Sequence, residues 1–261
     1  MGICSSKSSA RTFTSAQAKG GCELDLSKTA LVLIEYQNEF TTEGGKLHGA
    51  VAESMKATDM LAKSAKVVAA ARVKGITVIH APIMFKEDAS DNPNKGIGIL
   101  AGCAKDKLFT AGTWNADFHE SMKPAKGDIV VNGKRGLTAS RARTWRRVDG
   151  VRARNAIDAT MSAQANLKRK EIETVVLSGF LTNCCVESTM RTAYEKGTDA
   201  ASSIPPSAVA VTHVRAGFNT ITLTDCCATT SLEGHKGATE GTFGMFSSPM
   251  TGEEFLEKIA A

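Results

Sequence analysis

A chain of 261 residues is long enough to bury a full core within one domain. With 42% hydrophobic and 23% charged residues it has the balance of an ordinary globular protein, and no apolar run approaches the ~18 residues of a membrane span. The net charge of +5 does not read as a nucleic-acid surface, because much of the excess lies in one short stretch. That stretch holds Arg141, Arg143, Arg146, Arg147, Arg152 and Arg154 with no repeating aromatic platform, so a solvated basic segment and no nucleic-acid partner are expected. Seven cysteines, an odd number with adjacent pairs at 184/185 and 226/227, do not resemble a secreted disulfide framework and fit a reducing interior.

Residues 1–22 contain no Asp or Glu, are rich in Ser, Thr and Ala, and read as a disordered tail ahead of a single domain over 23–261. The tail begins MGICSSKSS. Gly2 and Ser6 satisfy the N-myristoylation pattern, and Cys4 stands where palmitoylation would add a second chain. Two acyl chains make a stable anchor, so a membrane surface is an expected partner of a cytoplasmic protein. An organelle transit peptide is the competing expectation for such a leader.

Beyond the tail, strand and helix patterns alternate. Ala30–Tyr36 is expected as a buried strand, Ala52–Lys74 as an amphipathic helix ending at Gly75, and Ile76–Ala81 as a second strand closed by Pro82. A polar loop over 86–94 follows, then a mixed region over 109–122 in which Trp114 and Phe118 are expected in the core or a pocket wall. Gly96, Gly98 and Gly102 in GIGILAG follow a polar segment rather than a strand, so they are not expected to form a dinucleotide loop. Asp128–Val131 and Thr174–Leu177 read as strands, with a helix over Ala156–Lys170 between them. Asn219–Thr224 reads as a further strand, Ser231–Thr242 as helical, and Thr251 with Glu254 as a capping box for a final helix. Buried strands alternating with helices imply an α/β fold: a parallel sheet with helices on both faces.

The densest chemistry lies in VVLSGFLTNCCVESTMRTAYEKG, residues 175–197. A β-branched run reaches a Ser-Gly turn and then a helix whose start carries Cys184 and Cys185. Val186, Met190, Ala193 and Tyr194 give that helix one buried face, Glu187 and Arg191 are spaced to pair, and Gly197 is a natural stop. A thiol at a helix N-terminus beyond the carboxyl end of a strand sits where an anion is favoured. A lowered Cys185 pKa and backbone oxyanion donors are therefore expected there. Two other strand ends carry reactive groups: Glu35 directly after four apolar residues, and Lys134 in DIVVNGKRG. A carboxylate, an ammonium and a thiol at one sheet edge would make a nucleophilic site, although each alone also fits a plain structural role.

These segments resemble the isochorismatase-like cysteine hydrolases, which include nicotinamidases and N-carbamoyl amidohydrolases. The resemblance spans roughly residues 27–138 and 171–257. GFLTNCCVESTMRTAYEKG is similar to the family's G-x-x-T-N-x-C-V-x-x-T-x-R-x-A pattern, IEYQNEF to its D-x-Q-x-x-F, and GDIVVNGKRGLTA to the segment of its lysine. It implies a Rossmann-like three-layer sandwich with a six-stranded parallel sheet and a catalytic triad of Glu35, Lys134 and Cys185. It also implies a cis peptide joining Phe180 to Leu181, with the N–H groups of Leu181 and Cys185 forming the oxyanion hole. Three departures stand out. Glu35 replaces the family's usual Asp. His80, in VIHAPIMFKED, has no matching Asp-x-His, so neither zinc nor any other cofactor is expected and His80 is read as a core histidine. The segments 140–159 and 198–216 have no place in the pattern, and read either as surface insertions or as untranslated sequence carried into the reading frame.

The expected function is a metal-independent cysteine amidohydrolase that cleaves a C–N bond of a small amide or ureido compound through a thioester on Cys185, working as a homo-oligomer. A non-catalytic, membrane-tethered binding or scaffold protein of the same fold is the alternative. A redox sensor using the Cys184–Cys185 pair ranks below both, because adjacent cysteines bridge only with backbone strain.

Overall fold

A computed structural model describes residues 24–139, 170–196 and 218–261. The tail with Gly2 and Cys4, the segments 140–159 and 198–216, Gly197 and nearly all of the helix expected over 156–170 lie outside the described residues. Among the described residues no helix is long and apolar enough to cross a membrane.

The strands are β1 (Thr29–Ile34), β2 (Thr77–Ala81), β3 (Ile129–Val130), β4 (Thr174–Phe180), β5 (Asn219–Ala228) and β6 (Ser248–Met250). They form one sheet in the order β3-β2-β1-β4-β5-β6, and every pairing is parallel. The central strands are buried on both sides, which is why TALVLI and TVVLSGF read as unbroken apolar runs rather than alternations. Side chains of β1 alternate between two cores. Leu31 and Leu33 join Met60, Val67, Val68, Phe255 and Ile259 on one face, while Ala30, Val32 and Ile34 join Val186, Met190 and Phe243 on the other. The result is a three-layer α/β/α sandwich.

The helices are α1 (Asn38–Thr41), α2 (His48–Thr58), α3 (Met60–Val73), α4 (Gly98–Lys105), α5 (Glu187–Lys196), α6 (Leu232–Lys236), α7 (Phe243–Phe246) and α8 (Gly252–Ala260). Several boundaries depart from the sequence expectation, each for a local reason. The long helix over 52–74 is two, α2 and α3, because Asp59 takes a left-handed conformation (φ 52°) that ends one helix and starts the next. GIGILAG, to which the sequence assigns no element, runs into α4, whose Leu100 and Cys103 are buried in the core. β5 does not stop before the cysteines; Cys226 and Cys227 lie within it and are fully buried. Burial pushes the Cys226 thiol up to about 12 and Cys227 further still. Val186, at the entry to α5, and Met190 on it are buried as expected, but Tyr194 is half exposed and meets the Phe246 ring edge-on. Trp114 is likewise half exposed and contributes little to the core. The Thr251–Glu254 capping box is complete in both directions.

Candidate active site

The carboxyl ends of β1 and β4 approach each other more closely than any side chain would permit. Gly179 takes φ +125°, and a Cβ there would lie 2.0 Å from the Ile34 carbonyl oxygen, so only glycine fits. This close approach sets the end of β4 beside Glu35, the residue that follows β1. Glu35 itself sits in left-handed backbone (φ 58°), its N–H donating to the Ala81 carbonyl of β2. Two neighbours hold the turn. The Tyr36 hydroxyl lies 2.9 Å from the Cys226 carbonyl, 3.1 Å from Ser178 Oγ and 2.7 Å from Ser64 Oγ. The buried Gln37 amide donates to the Ile83 and Ala116 carbonyls while its oxygen accepts from the Ile83 N–H.

The structure brings all three expected residues together. Glu35, Lys134 and Cys185 are 2%, 0% and 3% exposed, and the Lys134 ammonium donates to Oε1 of Glu35 in a buried ion pair. Desolvating two such charges is costly unless they compensate each other, which they do here. The loop after Lys134 is tied to the cysteine segment by a relay. Ala139 N–H donates to Thr189 Oγ1, which donates to the Cys185 carbonyl at 2.7 Å.

Cys184 and Cys185 occupy a π-helical turn, Thr182–Val186, that leads from β4 into α5. The Phe180–Leu181 peptide ahead of it is cis, as the resemblance implies. Glu187 and Arg191 pair at 2.8 Å on α5. The turn is braced from outside. Thr182 Oγ1 lies 3.0 Å from Nδ1 of His235 on α6, and Thr229 Oγ1 donates to Asn183 Oδ1 at 2.7 Å.

The electrostatics differ from the sequence expectation. The Cys185 thiol is not lowered but held well above the ordinary thiol range by its hydrogen bond with Cys184, by burial and by the Glu35 carboxylate, with Lys134 pulling the other way. The half-buried Cys184 is lowered by the same hydrogen bond. The hydrogen bond with Cys184, full burial and the neighbouring carboxylate outweigh the opposing pull of Lys134.

Glu35, Leu181 and Cys185 line one cavity of about 250 Å³, smaller than the roughly 300–1,000 Å³ of sites for drug-sized ligands. Phe40, Leu108 and Phe109 form part of its wall. Two contributors were not singled out in the sequence. Cys103 of α4 lines the cavity, its thiol raised to about 11 by burial and by Glu35. Glu39 is fully buried and accepts from Lys46 N–H (2.7 Å), Phe109 N–H (3.0 Å) and Asn115 Nδ2 (3.0 Å), which fixes the Phe109 wall. The available signal for Glu39 was a second acid inside the IEYQNEF segment.

His80 is fully buried on β2. Its Nε2 lies 2.9 Å from Asp128 Oδ2, which also accepts from Arg72, while Nδ1 has no partner. It is a core histidine, half satisfied. Among the described residues no group of three or more His, Cys, Asp or Glu side chains is placed to hold a metal ion.

The profile of the family described as Isochorismatase domain matches residues 29–254. The ureidoacrylate amidohydrolase RutB of Methylorubrum extorquens is 26% identical over 183 residues, and that of Variovorax paradoxus 28% over 184 residues. These matches cover 66% of this chain and 66% and 65% of the relatives, so the chain spans just under two thirds of their length. A cysteine hydrolase from Pseudomonas syringae shares the fold with a TM-score of 0.64 at 17% identity, over 92% of this chain and 95% of that one. An N-carbamoylsarcosine amidase from Thermoplasma acidophilum does so with a TM-score of 0.57 at 19% identity, over 87% and 97%. With the family profile running from the first residue of β1 into the last helix, the chain belongs to the isochorismatase family.

Proposed function

We propose that the protein is a cysteine hydrolase that cleaves a C–N bond of a small amide or ureido compound through a thioester on Cys185. The reading rests on one observation: the Cys185 thiol and the Glu35 carboxylate open on the same cavity, and a buried ammonium is paired to that carboxylate. Amide and ureido chemistry is also what the names of the RutB relatives and of the N-carbamoylsarcosine amidase describe.

In this mechanism Glu35 takes the Cys185 proton as sulfur attacks the substrate carbonyl, so no free thiolate has to persist in a buried site. The carbonyl oxygen becomes an oxyanion held by the N–H groups of Leu181 and Cys185. Lys134 stabilises the negative charge shared among thiol, carboxylate and oxyanion. The tetrahedral adduct collapses, the C–N bond breaks, and the leaving nitrogen takes the proton from Glu35. Water then gives a proton to Glu35 and attacks the thioester. The carboxylic acid departs and Cys185 recovers its proton.

The test is ammonia or amine release from a panel of small amides and ureido compounds. Cys185→Ala and Cys185→Ser should each abolish release, and turnover that survives both would overturn the proposal. We further propose acylation at Gly2 and Cys4, which would hold the enzyme at a cytosolic membrane face; the sequence pattern supports it.

A further inference from the structure

Beyond Glu35 and the two thiols, the described lining of the cavity is nearly all hydrocarbon: Phe40, Leu47, Val51, Leu108, Phe109 and Leu137 among others. Its second ionisable oxygen group is another acid, Asp106, and no lysine or arginine is among the described lining residues. Lys134, the cation paired to the site's carboxylate, is fully buried and already engaged by Glu35. A substrate carboxylate entering this space would lose its water, meet Asp106 and a carboxylate whose cation is already engaged, and find no free counter-charge among the described lining residues. An uncharged alkyl or aryl group would instead exchange water for favourable hydrocarbon contact.

We propose that the cavity selects compact, uncharged, apolar amides and rejects amides or ureido acids that carry a carboxylate. This deepens the hydrolase reading above and rests on it. It also separates this chain from the ureidoacrylate amidohydrolases that it resembles, since the acrylate in their name is a carboxylate.

Two arms test it. In the first, Cys185 is alkylated in a Cys184→Ser background by iodoacetamide and by iodoacetate, reagents of nearly equal size that differ in charge. Peptide mass spectrometry reads the rate at Cys185, normalised to glutathione. The normalised preference for iodoacetamide should be about tenfold. Ile99→Arg, which adds a cation at an exposed position on the rim, should bring it back toward glutathione. A normalised ratio near or below one overturns the proposal. So does a Cys185 inert to both reagents in folded protein yet reactive once unfolded. The second arm compares ammonia release from butyramide and from succinamate of the same chain length, with release from butyramide expected to be faster by about tenfold in kcat/KM. Faster release from succinamate overturns the selectivity. Absence of release from every amide, alongside an intact alkylation preference, removes the hydrolase reading and leaves the selectivity standing.

Discussion

The Lys134 ammonium donates to the Glu35 carboxylate where neither side chain has meaningful access to water. This pairing makes Glu35 structural as well as chemical. Glu35→Gln would strand a buried cation, and removing one partner of such a pair costs about 3–5 kcal/mol. Urea denaturation should show that loss. The double variant Glu35→Gln/Lys134→Met should recover most of the stability while remaining inactive, which separates the two roles. Glu35→Asp withdraws the carboxylate by one methylene from a site built around the longer side chain, and should lower kcat while leaving the protein folded.

Glu39 makes a prediction about the cavity wall. Its carboxylate accepts three N–H donors, and bonds to a charged acceptor contribute about 1.5–3 kcal/mol each. Glu39→Gln points a donor at donors. It should lower stability by about 2–3 kcal/mol and raise KM more than it lowers kcat, because Phe109 loses its anchor while Cys185 keeps its own. Steady-state kinetics alongside thermal unfolding checks the split.

Much of this arrangement was legible in the sequence because parallel strands buried on both faces leave continuous apolar runs, and residues just past such runs fall on one sheet edge. Glu35, Lys134 and Cys185 could be placed together for that reason. The break at Asp59 was not legible, since a left-handed residue between two good helical patterns changes no periodicity. The raised Cys185 thiol was hidden too. Its local sequence advertises a helix N-terminus, whereas its burial and its proximity to Glu35 arise from strands far apart in the chain. Glu39 was masked by its short distance from Glu35 in the same motif.

His80 should set part of the acid sensitivity. Burial holds its pKa below the free value of about 6.5, against the pull of Asp128. The unfolded chain therefore takes up this proton first. Stability falls as pH drops below about 6.5 and levels off only below the folded-state value. His119 and His235 are also lowered by burial and add in the same direction. His80→Gln, which can still donate to Asp128, should flatten the change in urea midpoint between pH 7.5 and 5.5. An unchanged slope would remove His80 from the account.

Acylation predicts an ordering in cell fractionation. The intact chain should travel with membranes, Gly2→Ala with the soluble pool, and Cys4→Ser between them, because one acyl chain binds only marginally and two hold firmly. Import through a transit peptide would instead yield a mature chain lacking roughly the first 20 residues, which intact-mass measurement reads directly.

The central claim, that Cys185 forms the covalent intermediate with help from Glu35, is tested most directly by capturing that intermediate. Incubation with p-nitrophenyl butyrate, an activated donor of an uncharged acyl group, followed by acid quench and peptide mapping, locates the acyl group. The account predicts one butyryl group on Cys185, absent in Cys185→Ala and strongly reduced in Glu35→Gln/Lys134→Met. A butyryl group on Cys184 that persists in Cys185→Ala, or a Cys185 that never acylates while p-nitrophenolate is released, would contradict it.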